Sequence, residues 1–217
     1  MKRFLTLIFI ALFIFPSTSF AEFVGIKKEE FKSHYSPQVD PLWCWAASAE
    51  MVLSHQGIKI PQALIVQRVK GASVSTTGNF IDMVNSINGV FNSSDGKEAV
   101  VSGQFVMGAP LATVLYNQLK QSNPVILTYQ AGPYIGHAVV ITGIEATVDS
   151  RSGVQITKIY VFDPFAYDTV NRPWGGFDYI YNQSLQYKEY ALQMTQYGLR
   201  IPPGIITGVI LVDGTKL

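Results

Sequence analysis

The spacing of apolar residues divides the chain into stretches of different period. Residues 4–15 form a nearly unbroken apolar run that ends at Pro16. Residues 22–39 mix acidic, basic and apolar side chains without a sustained period and predict an extended lead-in, with Pro37 and Pro41 bracketing a loop. From Trp43 the period becomes helical. Alanines at 46, 47 and 49 favour a helix over 43–53, and Ala49, Val52 and Leu53 stand at i, i+3 and i+4. Gly57 supplies a stop. Pro61 opens a second helix over 62–69 that Gly71 ends, and a third is expected over 78–87. A fourth, over 110–120, has Leu111, Val114, Leu115 and Leu119 on one face. Beyond Pro124 the pattern turns to β: apolar runs at 125–129, 137–145, 154–163 and 204–212, with the turn cluster Asp-Ser-Arg-Ser-Gly at 149–153 between the second and third. Residues 179–190 fit neither period. Helices followed by an antiparallel sheet predict an α+β fold.

Composition narrows the class. The 217 residues are 48% hydrophobic and only 14% charged, with 13 Phe, 11 Tyr and 3 Trp, which suits a packed domain and excludes a disordered chain. Lys and Arg number 16 against 15 Asp and Glu, so no basic excess points to nucleic acid. The single cysteine, Cys44, excludes an internal disulfide framework, a four-thiolate zinc site and an iron–sulfur cluster. Three histidines, at 34, 55 and 137, offer little for a metal site, and no cofactor is expected.

Residues 1–21 have the layout of a signal peptide: Lys2 and Arg3, the apolar run, then Ser19-Phe20-Ala21 with small residues where a signal peptidase reads. The run is short for a membrane span, which needs about 20 residues. Cleavage before Glu22 leaves one domain, 22–217, close to electroneutral, secreted or periplasmic, and without stable membrane association. A lone thiol kept by an exported chain is exposed to oxidation unless it is buried or has a function.

Three positions then bear on chemistry. Cys44 opens its helix, where free backbone N–H groups and partial positive charge favour the anionic form of a thiol. A buried structural cysteine between Trp43 and Trp45 is the bland alternative. His137 begins an apolar strand in Gly136-His137-Ala138-Val139-Val140. Asp163 ends the next strand in Val161-Phe162-Asp163-Pro164. Residues 137 and 163 are equidistant from residue 150 in the turn, so a regular hairpin sets carboxylate beside imidazole on one side of the sheet. A carboxylate there fixes the imidazole tautomer and stabilises its cation. Gln38, six residues before Cys44, is placed to donate to an oxyanion that also receives the Cys44 N–H.

The set Gln38, Cys44-Trp45, Gly136-His137 and Asp163-Pro164 resembles the papain-like cysteine peptidases. It is most similar to their compact bacterial branch, which includes bacteriocin-leader peptidases and secreted effector proteases. The likeness extends over residues 36–166 and includes the Pro110-Leu111 and Asn123-Pro124-Val125-Ile126 stretches. It implies a two-lobed fold, an N-terminal helical lobe packed on a C-terminal antiparallel β-sheet lobe, with the site in the cleft between them. It also implies Cys44 as nucleophile, His137 as general base and acid, Asp163 as imidazole orienter, Gln38 as oxyanion-hole donor, and a peptide or protein substrate. The chain departs from the longer members in lacking the first cysteine of their Cys-Gly-Ser/Ala-Cys-Trp signature. Its Cys-to-His spacing is shorter than their roughly 130–150 residues, and its third member is Asp rather than Asn. Asn171, in Asn171-Arg172-Pro173-Trp174-Gly175, imitates the Asn-x-Trp-Gly of that longer branch but falls outside the hairpin symmetry. No inhibitory prodomain is expected between residue 22 and Cys44. Two rival functions share these residues: amide hydrolysis or acyl transfer on peptidoglycan stem peptides, and a catalytically inactive peptide-binding module.

Overall fold

A computed structural model describes residues 20–196 and 198–216; the expected signal peptide lies, up to residue 19, outside the described residues. Strand β1 (Glu22–Gly25), helix α1 (Lys28–Phe31) and a 3-10 turn (Lys32–His34) lead to α2 (Cys44–His55), α3 (Gln62–Lys70) and α4 (Phe80–Ile87). The chain continues through β2 (Gly89–Asn92), β3 (Glu98–Met107), α5 (Ala112–Lys120), β4 (Val125–Gly132), β5 (Ile135–Asp149) and β6 (Gly153–Phe162). It ends in β7 (Tyr167–Asn171), β8 (Phe177–Tyr181), β9 (Tyr187–Ala191), β10 (Gln193–Thr195), β11 (Gly198–Ile201) and β12 (Gly204–Lys216). Among the described residues no helix is long and apolar enough to cross a membrane.

The fold is α+β, with helices and one large antiparallel sheet in the order β10-β11-β12-β4-β5-β6-β9. Strand β1 adds to β5, β3 to β12 and β2 to β3, while β7 and β8 form a separate ribbon. Helices do not simply precede the sheet, as the periodicity predicts. Strand β1 opens the fold by pairing with the far half of β5, Val24 opposite Ile144, and β2–β3 intervene between α4 and α5. Strand β3 alternates buried Ala99 and Val101 with exposed Val100, so apolar residues occupy both of its faces and its period is hard to read.

The central strands bury both faces, and this explains their continuous apolar runs. Ile126, Val140 and Phe162 join Trp45, Met51, Leu53 and Ile65 in a core beneath α2–α4. The alternate residues Val125, Leu127, Val139, Ile141 and Val161 join Leu115 and Leu119 of α5 in a second core. Helix α2 is buried on nearly every side, from Trp45 to Ala49 and again from Met51 to Leu53, as a central helix should be. Helix α4 starts with a capping box: the Asn79 carboxamide oxygen accepts from the N–H groups of Ile81 and Asp82, and the Asp82 carboxylate accepts from Asn79 N–H. Lys70 on α3 donates to the same carboxylate at 2.7 Å.

Two histidines unconnected with the cleft affect the behaviour of this core in acid. His34 Nδ1 lies 3.0 Å from Ser54 Oγ, His55 Nε2 donates to Ser122 O at 2.9 Å, and the rings stand 5.2 Å apart. Burial pushes both imidazoles below 6.5, and their proximity adds to the effect at His34. A depressed histidine contributes stability that is complete above its unfolded value and declines as pH falls below it. Thermal unfolding of wild type should therefore show a midpoint that drops from pH 7 to pH 5, with a smaller drop in His34→Gln. Equal drops in the two proteins would refute this assignment.

Candidate active site

Cys44 owes its position to a turn and to two indoles. Asp40 Oδ1 accepts from Leu42 N–H at 2.8 Å and Asp40 O from Trp43 N–H at 3.0 Å, which turns the chain into α2. Cys44 is the first helical residue, in the turn whose N–H groups have no intrahelical acceptor. On either side of it, Trp43 Nε1 donates to Val74 O at 3.0 Å and Trp45 Nε1 to Thr76 O at 3.2 Å. These bonds draw the 74–78 loop against the helix start. Gly78 lies so close to the Trp45 ring that a Cβ would meet it at 2.5 Å, so only glycine lets this loop form a wall of the cleft.

His137 sits near the start of β5, its ring edge-on to Tyr129 (5.5 Å between centroids) and to Phe165 (6.1 Å). Its Nε2 meets Asp163 Oδ1 at 2.7 Å, which leaves Nδ1 on the side away from the carboxylate, and Cys44 lines the same two cavities as the ring. The hairpin register differs from the symmetric expectation. The last paired residues are Val140 and Phe162, so Asp163 falls level with Val139, two residues along β5 from His137. Two register shifts, between Ile141 and Gly143 and between Glu145 and Ala146, cancel. The even offset keeps both side chains on one side, and they meet along the diagonal rather than directly across.

Asp163 is 2% exposed and tethered at both oxygens. Oδ1 accepts from His137 and from Phe165 N–H at 2.9 Å, and Oδ2 accepts from Lys188 Nζ at 2.7 Å. Burial raises its pKa, but the hydrogen bond and charge of His137 and the Lys188 ammonium outweigh that and hold it at about 2. Burial likewise lowers His137, and here the hydrogen bonds and charges of Asp163 and Cys44 prevail and hold it at about 10. The imidazole is therefore a cation at neutral pH.

Gln38 is fully buried in the loop before α2, its N–H donating to Pro164 O at 2.9 Å. Its carboxamide Nε2 donates to Asp40 O (3.0 Å) and Pro41 O (2.8 Å), which occupies both hydrogens, while Oε1 is buried with no hydrogen-bond partner among the described residues. The structure thus brings Cys44, His137 and Asp163 together and holds Gln38 beside them with its donors turned into the loop. Asn171 lies on the β7–β8 ribbon, exposed and paired with Phe177. Sequence reading missed Lys188, which stands in a stretch without periodicity, and Gly78, whose need appears only once Trp45 is placed.

Two cavities of about 540 and 520 Å³ flank the cysteine, and both reach Cys44, Thr77, Tyr129 and His137. The first runs on to Phe80, Met83, Phe105 and Met107, and the second to Leu42, Phe165, Tyr179 and Lys188. A groove that passes a thiol and an imidazole in this way suits an extended substrate with its reacting carbonyl at the centre.

A thiol at a helix N-terminus, sharing a cavity with an imidazole that is fixed by a carboxylate, has the parts that a thiol nucleophile with a nitrogen base requires. The chain belongs to the Peptidase_C39 like family, whose model matches residues 29–189. That is a papain-like cysteine peptidase family, and it implies a peptide or protein substrate. The matched segment contains Gln38, Cys44, His137, Asp163 and Lys188. A search of curated proteins found no match.

Proposed function

We propose that the chain is an exported cysteine peptidase that cleaves peptide bonds with a Cys44–His137–Asp163 triad in a papain-like two-lobed fold, α2–α4 forming one wall of the cleft and the sheet the other. The observation that carries this reading is that Cys44 shares the centre of an open groove with His137, whose imidazole is bonded to a doubly tethered, buried Asp163. The Cys44 sulfur attacks the substrate carbonyl. The His137 imidazolium gives its proton to the leaving amine, and the neutral imidazole then takes a proton from the water that hydrolyses the thioester. The Cys44 N–H, free at the helix start, supports the oxyanion. Gln38 joins it by exchanging one of its loop carbonyls for the substrate oxygen. Export rests on the sequence of residues 1–21.

The decisive experiment digests a peptide library with protein comprising residues 22–217 and identifies the products, with Cys44→Ala alongside. New peptide termini that depend on Cys44 are the expected result. Casein and purified peptidoglycan as parallel substrates separate a peptidase from an enzyme of stem-peptide amides. Absence of cleavage in both, with Cys44 unreactive to iodoacetamide, would leave a binding module.

A further inference from the structure

We propose that Lys188 is a positioning residue that holds Asp163 ionised and immobile while the proton on His137 comes and goes. This role rests on the reading of Cys44, His137 and Asp163 as a triad. It concerns a residue at the opposite side of the carboxylate from the imidazole, on β9 rather than on either strand of the hairpin.

The geometry is that of a clamp. The Asp163 side chain is 3% exposed, and its two oxygens go to different partners, His137 Nε2 at 2.7 Å and Lys188 Nζ at 2.7 Å. A third bond, from Phe165 N–H, completes Oδ1. A buried carboxylate needs compensating charge. In the resting state two cations provide it. When His137 passes its proton to the leaving amine, one of the two disappears, and Lys188 becomes the only cation in contact with the buried anion. Without it, Asp163 would compete for a proton at the step where it must remain a pure acceptor. Because the ammonium also draws on the carboxylate charge, it weakens the hold of Asp163 on the imidazole proton and so eases the transfer.

The other titratable groups around Asp163 do not substitute for it. They are Tyr35, whose hydroxyl donates to Asp163 O at 3.2 Å, Tyr129 on β4, Tyr190 on β9 and, through His137, Cys44 on α2. Burial pushes all three tyrosines up, Tyr35 to about 12, so they remain neutral in the working range. Lys188 is therefore the one fixed cation in contact with the carboxylate among the described residues. Its side chain is 36% exposed and reaches the cleft wall, so its removal leaves no void in the core.

The test is a pH titration of the His137 imidazole by nitrogen NMR in full-length mature protein, as wild type, Lys188→Met and Lys188→Arg. It is run with the alkylation rate of Cys44 by iodoacetamide on the same samples. Protonation of Asp163 disturbs the His137 signals at the acid end. In Lys188→Met that disturbance should move up by about one pH unit or more, the shift expected on losing an adjacent opposite charge. The acid limb of alkylation should move with it, and Lys188→Arg should restore both. In an Asp163→Asn background Lys188→Met should change neither. An acid-end disturbance that stays in place in Lys188→Met overturns the proposal, as does a shift of equal size in the Asp163→Asn background. Should Lys188→Met not fold, Lys188→Gln carries the same expectation. The NMR readout needs no substrate. If the chain proves to cleave no peptide, the triad reading fails on its own evidence and the Lys188–Asp163 coupling is still measured.

Discussion

Cys44→Ala reduces hydrolysis to background, a loss of about 10⁶-fold if the cysteine works as part of a concerted unit, while the protein keeps its fold. The fold is spared because the sulfur sits at the edge of the α2 core, half-exposed at the helix start, with Trp45 and not Cys44 filling the interior. The chemistry is lost because the chain has no other thiol. A companion measurement separates a nucleophile from a packed thiol. His137 is held as a cation up to about 10, after burial has been outweighed by its bonds and charge interactions with Asp163 and Cys44. His137→Ala removes that cation from the cavity it shares with the thiol and should slow iodoacetamide alkylation at pH 6–7 by about tenfold. The pH dependence has a definite sign. A raised histidine contributes stability that is complete below its ordinary value of 6.5 and is lost as pH rises through about 10. Wild-type hydrolysis should fall over the same alkaline range, because the leaving amine then lacks its proton donor. Equal alkylation rates in wild type and His137→Ala at pH 6–7 would show that the two groups do not communicate.

Much of this site was legible in the chain before any fold was known, for identifiable reasons. The helix at Cys44 was visible because its alanines and its apolar spacing agree with burial on all sides. The strand of His137 was visible because both of its faces are buried, which makes the run of Ala138 to Ile141 continuous, and the strand before Asp163 because it closes on the buried Val161 and Phe162. The turn at Asp149 was visible because Asp149 caps its own loop through Arg151 and Ser152 N–H. The register was not legible. A count along the chain does not fix the centre of the turn to the residue, and the closing pair Asp149–Gly153 puts it at 151 rather than 150. Because the two bulges farther along cancel, that difference leaves the facing correct and the partner of Asp163 off by two residues. Lys188 was invisible because its meaning is tertiary. Strand β9 pairs with β6 from Lys158–Ala191 to Phe162–Tyr187, and only that pairing carries an ammonium to the far side of Asp163. The donors of Gln38 illustrate the opposite case. Position along the chain suggested an oxyanion donor, whereas the folded loop shows what already competes for its hydrogens.

Loss of the Asp163 side chain should produce the second large effect. Asp163→Ala is expected to lower kcat by up to about 10⁴-fold, the scale set by a mispositioned imidazole in a serine protease triad, with the thiol still present to react. The cause is geometric and electrostatic together. His137 loses its 2.7 Å acceptor at Nε2, and the ring, touched otherwise by Tyr129 and Phe165 edges, is free to turn away from Cys44. Asp163→Asn should fall between alanine and wild type, because an amide oxygen still accepts from an imidazolium whereas the stabilising charge is gone. Asn171→Ala should leave the rate unchanged, since Asn171 is exposed on a ribbon and paired with Phe177. Acid sensitivity has the reverse sign to that of His137. A carboxylate lowered to about 2 contributes stability that is complete above its ordinary value of 3.8 and is lost as pH falls through about 2. Wild type should thus resist acid to a lower pH than Asp163→Asn does. Steady-state kinetics of the four proteins on one cleavable peptide, with circular dichroism to confirm folding, decides the matter. An Asn171→Ala deficit that exceeds that of Asp163→Ala in folded protein would transfer the orienting role to the ribbon and undo the assignment of Asp163.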